Sequence, residues 1–346
     1  MPRFHTFLFL LLFSLLALPA QAQAEQDEPR PGEGITAFLQ RHGRRGKVYY
    51  QDFLQLNEKK LKGKRELQLG VKYIIPPRRT DADSGQGSGG GNGSGNPQRR
   101  TSIDEPLFGK ALAHVDITGR RLEGACFYVV SGHGGPDPGA IGRVGNVQLH
   151  EDEYAYDVAL RLARCLMQEG AEVHIIIQDA KDGIRDDRYL ANSKRETCMG
   201  RAIPLNQKER LKQRCAAINE LYQKDKQKYK YCRAIFLHVD SRNKGQQTDV
   251  FFYHANESKL GQRLATTMKA TFESKYGRHQ PGRGFRGTVS GRGLYVLRNS
   301  APVGLFVELG NIQNAHDQRR FVLSSNRQAL AKWMMEGFIA DYKKSQ

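Results

Sequence analysis

Between residues 108 and 346 the chain alternates short, near-continuous apolar runs with longer amphipathic stretches, and few folds tolerate that alternation. The runs ACFYVV, EVHIII, AIFLHV, DVFFYH, LYVL and VGLFVEL read as strands. Helical spacing runs through Glu151–Glu169, Asn206–Lys224, Ser258–Ser274 and Arg327–Lys343. A strand that is apolar on both faces must be covered on both faces. Helices lying between such strands supply that cover, so the expected class is α/β: a mostly parallel sheet flanked by helices on both faces.

The rest of the chain reads as three further segments. Residues 1–24 join a basic start (Arg3, His5) to the apolar run FLFLLLFSLLALPA and a small-residue end. That is the pattern of a secretory signal peptide cleaved near Ala22 or Ala24. The apolar run is shorter than the roughly 20 residues a membrane span needs, so no stable membrane insertion is expected after cleavage. The expected location is periplasmic or secreted. Residues 34–77 form a small unit with apolar helical spacing at Ile35, Phe38 and Leu39, then at Phe53, Leu54 and Leu56, before a short β-run, YII. Residues 78–107 begin with RRTDADSGQGSGGGNGSGNP and are expected to be a flexible linker, since almost nothing there can be buried.

A net charge of +18 favours polyanions. In an exported protein this points to an anionic cell envelope rather than nucleic acid. Five scattered cysteines without a CxxC do not make a disulfide framework. Cys126 and Cys165 read as buried thiols, and a Cys198–Cys215 pair is left open, as is the oligomeric state.

Open α/β sheets place ligands at the carboxyl ends of their strands. His133 follows ACFYVV in the stretch SGHGGPDPGA, His238 ends AIFLH, and Glu308 ends GLFVE. Glu151 opens the first long helix on the apolar stripe of Ala155, Val158, Ala159 and Leu162, whereas Glu153 is expected to face water. Two histidines and a carboxylate are a catalytic zinc set with room for a water molecule. Zn2+ on His133, Glu151 and His238 would need a separate carboxylate to move protons, and Glu308 is the candidate. Gly132, Gly134 and Gly135 would let the backbone turn and approach the metal. His114, His174, His279 and His316 read as surface or packing residues, while His254, after DVFFY, is placed at a strand end and is a candidate to line the cleft.

The segments GHGGPDPGA, LHVDSRN and PVGLFVELGN, with the Glu151 helix, resemble the zinc-dependent N-acetylmuramoyl-L-alanine amidases of the amidase-3 type. That resemblance implies peptidoglycan as substrate, cleavage between muramic acid and L-alanine, zinc on His133, Glu151 and His238, and catalysis by Glu308. It also matches Arg214 and Asn219 to the family's R-x4-N element. Two departures stand out: Asp240 replaces an asparagine, and residues 181–205 are longer than the simplest members need, which suggests a flap over the cleft. The closing LQLGVKYIIPP makes residues 34–77 resemble a LysM module, which implies a small α+β, glycan-binding domain ahead of the catalytic one at 108–346. Two rival readings are another zinc peptidase of peptidoglycan, and a non-catalytic wall-binding protein or activator. Whether a protein activator assists the enzyme is left open.

Overall fold

The computed structural model describes residues 25–29, 33–44, 47–61, 67–77 and 101–346. They fall into two units, divided between Gly95 and Asn96. Residues 1–24, expected to be a signal peptide, and residues 78–100 of the expected linker lie outside the described residues.

In the first unit, β1 (Gln26–Asp27) leads to α1 (Ile35–Arg41), α2 (Lys47–Leu56) and α3 (Glu58–Leu61). The chain then returns as β2 (Tyr73–Ile74), antiparallel to β1. The unit therefore starts ahead of residue 34. Phe38, Phe53 and Tyr73 are fully buried and hold it together; their rings touch at centroid distances of 5.6 and 5.8 Å. Asn57, just past α2, accepts the Ile74 N–H at 2.7 Å and donates to the Ile74 carbonyl at 2.8 Å. One amide thus ties the helix end to the closing strand.

The second unit begins earlier than expected. β3 (Ser102–Asp104) pairs with β4 (His114–Asp116), and Phe108 between them is buried. Residues 101–107 are therefore part of the fold rather than the end of the linker. Ile103 and Leu107 pack against the main core, which a composition reading dominated by the Gly/Ser tract overlooks.

Next come β5 (Ala125–Ser131), the hairpin β6 (Ile141–Val144) and β7 (Val147–His150), and α4 (Glu151–Gln168). Then follow β8 (Glu172–Ile175), β9 (Ile177–Gln178), β10 (Thr197–Cys198), β11 (Arg201–Ala202), α5 (Gln207–Asp225) and β12 (Tyr231–Asp240). The chain ends with β13 (Phe251–His254), α6 (Lys259–His279), β14 (Val289–Gly291), α7 (Tyr295–Asn299), β15 (Val303–Asn311), α8 (Ala315–Val322) and α9 (Ser324–Lys343). The six-stranded sheet has the order β14-β13-β15-β12-β5-β8, parallel throughout except where β13 meets β15.

Side chains alternate across this sheet and feed two cores. Phe127, Val129, Ile235, Leu237, Leu305 and Val307 pack with α4, α6 and α9. Cys126, Tyr128, Val130, Ala234, Phe236 and Phe306 pack with α5 and α7. Burial on both faces is why these strands read as continuous apolar runs. The run LYVL, expected as a strand, is instead the start of α7, with Val296 and Leu297 buried under the sheet, and β14 takes the edge position. A short apolar run fits a buried helical turn as well as a strand. All five cysteines are free and buried, so Cys198 and Cys215 are unpaired. Among the described residues no helix is long and apolar enough to cross a membrane.

Candidate active site

Parallel pairing of β5, β12 and β15 brings three strand ends to one rim: Ser131 is in register with Leu237, and His238 with Glu308. Beyond β5 the chain turns sharply, and His133 adopts a left-handed φ of 55°. This is uncommon outside glycine, and such strained residues concentrate at functional sites. The turn is closed by Gly134 and Asp137, which exchange backbone hydrogen bonds of 2.8 and 3.3 Å.

The His133 imidazole is oriented from behind. Its Nδ1 donates to Asp137 Oδ2 at 2.8 Å, the same oxygen accepts Arg210 Nη2 at 2.6 Å, and Asp137 Oδ1 accepts the Gly139 N–H at 3.1 Å. Arg214, buried under the turn, donates to the His133 carbonyl. Nε2 of His133 is thereby aimed at Glu151 Oε2, 3.2 Å away. A carboxylate behind a histidine fixes its tautomer and raises its basicity as a ligand.

Glu151 is buried at the first turn of α4. Oε2 accepts the Ala140 N–H at 2.8 Å, and Oε1 accepts the Val239 N–H at 2.9 Å and lies 2.9 Å from His238 Nδ1. Burial opposes its charge, but hydrogen bonds from His133 and His238 overcome that and hold the carboxyl well below the usual range. Burial likewise opposes a charge on His133, yet Asp137 and Glu151 raise it to about 10. The candidate ligand atoms of His133, Glu151 and His238 all lie within 4.8 Å of one another. Two imidazole nitrogens and a carboxylate, with a carboxylate behind one of the histidines, fit a zinc ion.

His238 stacks on Phe306 with ring centroids 4.4 Å apart. Its other edge lies against Gly132, where an added Cβ would come within 2.4 Å of the imidazole Cε1. Gly139, at φ 66°, is equally tight, with its Cβ position 2.6 Å from Glu151 Oε2. Gly132→Ala is expected to push His238 off its stack, weaken zinc binding at least about tenfold and destabilise the fold by about 1–3 kcal/mol. Metal titration and thermal melts of the variant check this; an unchanged zinc affinity would show that the close approach is incidental.

Glu308 stands beside the donor cluster without belonging to it. Its Oε2 is buried with no hydrogen-bond partner. Desolvation, then the charges of Glu151 and Asp240, push its carboxyl up to about 8. A carboxyl poised near neutrality suits proton transfer. Asp240, two residues past His238, pairs with Arg242, whose guanidinium lies 5.2 Å from the Phe251 ring centroid.

Other expectations fare differently. Asn219 braces the approach to β15, accepting the Ala301 N–H at 2.7 Å and donating to the Asn299 carbonyl at 2.9 Å. His254 does not line the cleft: β13 runs antiparallel to β15, so its carboxyl end points away from the rim, where His254 is buried against the Ala255 carbonyl. His114 pairs with exposed Asp104, His174 with Asp225, His279 stacks on Trp333, and His316 is exposed. Residues 181–205 are fastened down. Arg327, fully buried, donates to the carbonyls of Arg185 and Asp187, and Glu196 accepts the Gly135 N–H. Glu153 does not face water. It is 1% exposed, because this segment covers it and presents Arg185 and the Ser193 N–H to its carboxylate. Helical phase alone could not reveal that cover. Asp137, Gly139 and Arg210 carry no role in the sequence reading, although an aspartate four residues past a candidate ligand in a glycine-rich turn is a usable signal.

The N-acetylmuramoyl-L-alanine amidase family model matches residues 128–340. Similar solved structures include an N-acetylmuramoyl-L-alanine amidase from Clostridium difficile 630, at 20% identity and TM-score 0.46 over 64% of this chain and 98% of that one. The amidase AmiC2 of Nostoc punctiforme is 19% identical, with TM-score 0.44 over 64% and 98%. The CwlD amidase from Clostridioides difficile, solved with the GerS lipoprotein, is 12% identical, with TM-score 0.47 over 64% and 99%. No curated protein matches the chain.

Proposed function

The chain belongs to the N-acetylmuramoyl-L-alanine amidase family, and from that premise we propose that it is an exported, zinc-dependent hydrolase of the amide between N-acetylmuramic acid and L-alanine in peptidoglycan. The observation that carries this reading is the convergence of His133, Glu151 and His238 beside the unpartnered carboxyl oxygen of Glu308. Zinc held by the first three residues would polarise the amide carbonyl and make water acidic enough to ionise near neutral pH. Asp137 and the Ala140 and Val239 amides keep His133 and Glu151 in place. Glu308 takes the proton of the attacking water and delivers it to the nitrogen of the departing alanine. Its burial matches the task, because an ordinary carboxylate would be too weak a base to hold that proton between the two transfers.

Export rests on the pattern of residues 1–24. The small unit, two strands around three helices with Asn57 locking the last strand, supports a LysM-like glycan tether. Tethering raises the local concentration of the enzyme at its polymer, and the net charge of +18 adds attraction to an anionic wall. The decisive experiment is mass spectrometry of purified peptidoglycan digested by the protein, with and without a chelator. The expected products are intact stem peptides with a free L-alanine amine, lost on chelation and restored by zinc. Shortened stems still attached to muramic acid would make the protein a peptidase instead.

A further inference from the structure

Next to the candidate active site, three carboxylates meet under segment 179–205. Asp152 and Glu153 come from the first turn of α4, and Glu196 comes from the segment itself. They are 3%, 1% and 6% exposed, and one oxygen from each lies within 4.8 Å of the others. Charge compensation is thin. Arg185 donates to Glu153 at 2.8 Å but also to Asp182 at 3.0 Å. The nearby His133 imidazole is committed to Asp137 and Glu151. Glu196 accepts the Gly135 N–H at 2.8 Å, and Asp152 Oδ1 accepts the Glu153 N–H at 2.9 Å. Asp152 Oδ2 is buried with no partner at all.

The dipole of α4 favours anions at this end, but a helix terminus offsets only a small part of the cost of burying three carboxylates together. Buried charges in native proteins are paired or coordinate a metal. The donors are all carboxylate oxygens, which suit hard cations rather than zinc. Magnesium demands a near-ideal octahedron and keeps several waters, whereas calcium accepts irregular sets of carboxylates, each binding through one or two oxygens. We propose that Asp152, Glu153 and Glu196 bind a calcium ion, which fastens segment 179–205 and the Gly135 turn to the start of α4. The ion would thus brace the two chain segments that carry His133 and Glu151, without touching substrate.

Calorimetric titration of the purified full chain with calcium chloride, and separately with magnesium chloride, tests the site. Each titration is run on zinc-loaded and on zinc-free protein, so that failure of the zinc reading leaves this one intact. The expected result is one calcium per chain, with a thermal midpoint that rises with calcium. Asp152→Asn and Glu196→Gln keep the oxygens that accept the Glu153 and Gly135 N–H groups while removing a charge. Each should weaken calcium at least about tenfold, without lowering the midpoint in calcium-free buffer. If the carboxylates merely brace the fold, both variants would melt lower without calcium and wild type would not respond to it. No calcium uptake, uptake undiminished in both variants, or magnesium bound as tightly as calcium would each overturn the assignment.

Discussion

Glu308→Gln is expected to lower kcat by about 10²–10⁴-fold while zinc content stays at the wild-type level. The amide has nearly the shape of the carboxylate but cannot take a proton from water. Glu308 lies outside the His133, Glu151 and His238 cluster, so metal retention should survive the change. A second readout separates a proton-transfer role from simple damage. In the folded, metal-free protein, desolvation and the charges of Glu151 and Asp240 raise the Glu308 carboxyl from its ordinary 4.5 to about 8. Between those two values the folded chain keeps a proton that the unfolded chain releases, so stability falls as pH rises through that window. Glutamine is neutral throughout and removes that loss. The variant should therefore melt higher than wild type at pH 8 in the presence of chelator, with the gap shrinking towards pH 4.5. A variant that keeps a tenth or more of wild-type turnover, or that melts lower at pH 8, removes Glu308 from the role given to it.

The rim of the sheet was legible in the sequence because its physics is local. Strands covered on both faces advertise themselves as unbroken apolar runs, and parallel order places their ends together. His133, His238 and Glu308 are brought together by that rule, and the register of His238 with Glu308 follows from the pairing of β12 with β15. What stayed hidden depends on contacts between residues distant in sequence. The antiparallel entry of β13 turns His254 away from the rim, and nothing in DVFFYH reports strand direction. Glu153 looks solvent-facing by helical phase until segment 179–205 is laid over it with Arg185 in place. Residues 181–205 read as a flap over the cleft, yet buried Arg327, ion-paired to Asp157 at 2.6 Å, holds their backbone by two carbonyls. A buried arginine in an amphipathic helix gives no sign of its partners in advance.

Glu151→Gln should be as severe as Glu308→Gln, for a different reason. Both oxygens of Glu151 accept backbone N–H groups, Ala140 at one and Val239 at the other, while each also faces an imidazole nitrogen. An amide has one acceptor and one donor, so either orientation sets its NH2 against a buried backbone N–H. The substitution therefore removes the anionic ligand and also breaks a hydrogen bond at the start of α4. A buried donor left unsatisfied costs about 1–3 kcal/mol. Elemental analysis should show zinc falling from one per chain to a small fraction, with activity reduced to background and a lower thermal midpoint even in chelator. The two substitutions thus differ in sign where stability is concerned: without metal at pH 8, Glu308→Gln is expected to stabilise and Glu151→Gln to destabilise. The contrast has two sources: Glu308→Gln removes a carboxyl that burial and neighbouring charges keep from ionising and whose Oε2 has no partner to lose, whereas Glu151→Gln breaks a backbone hydrogen bond that the carboxylate accepts. If Glu151→Gln retained stoichiometric zinc, Glu151 would be a brace for the two histidines rather than a ligand beside them.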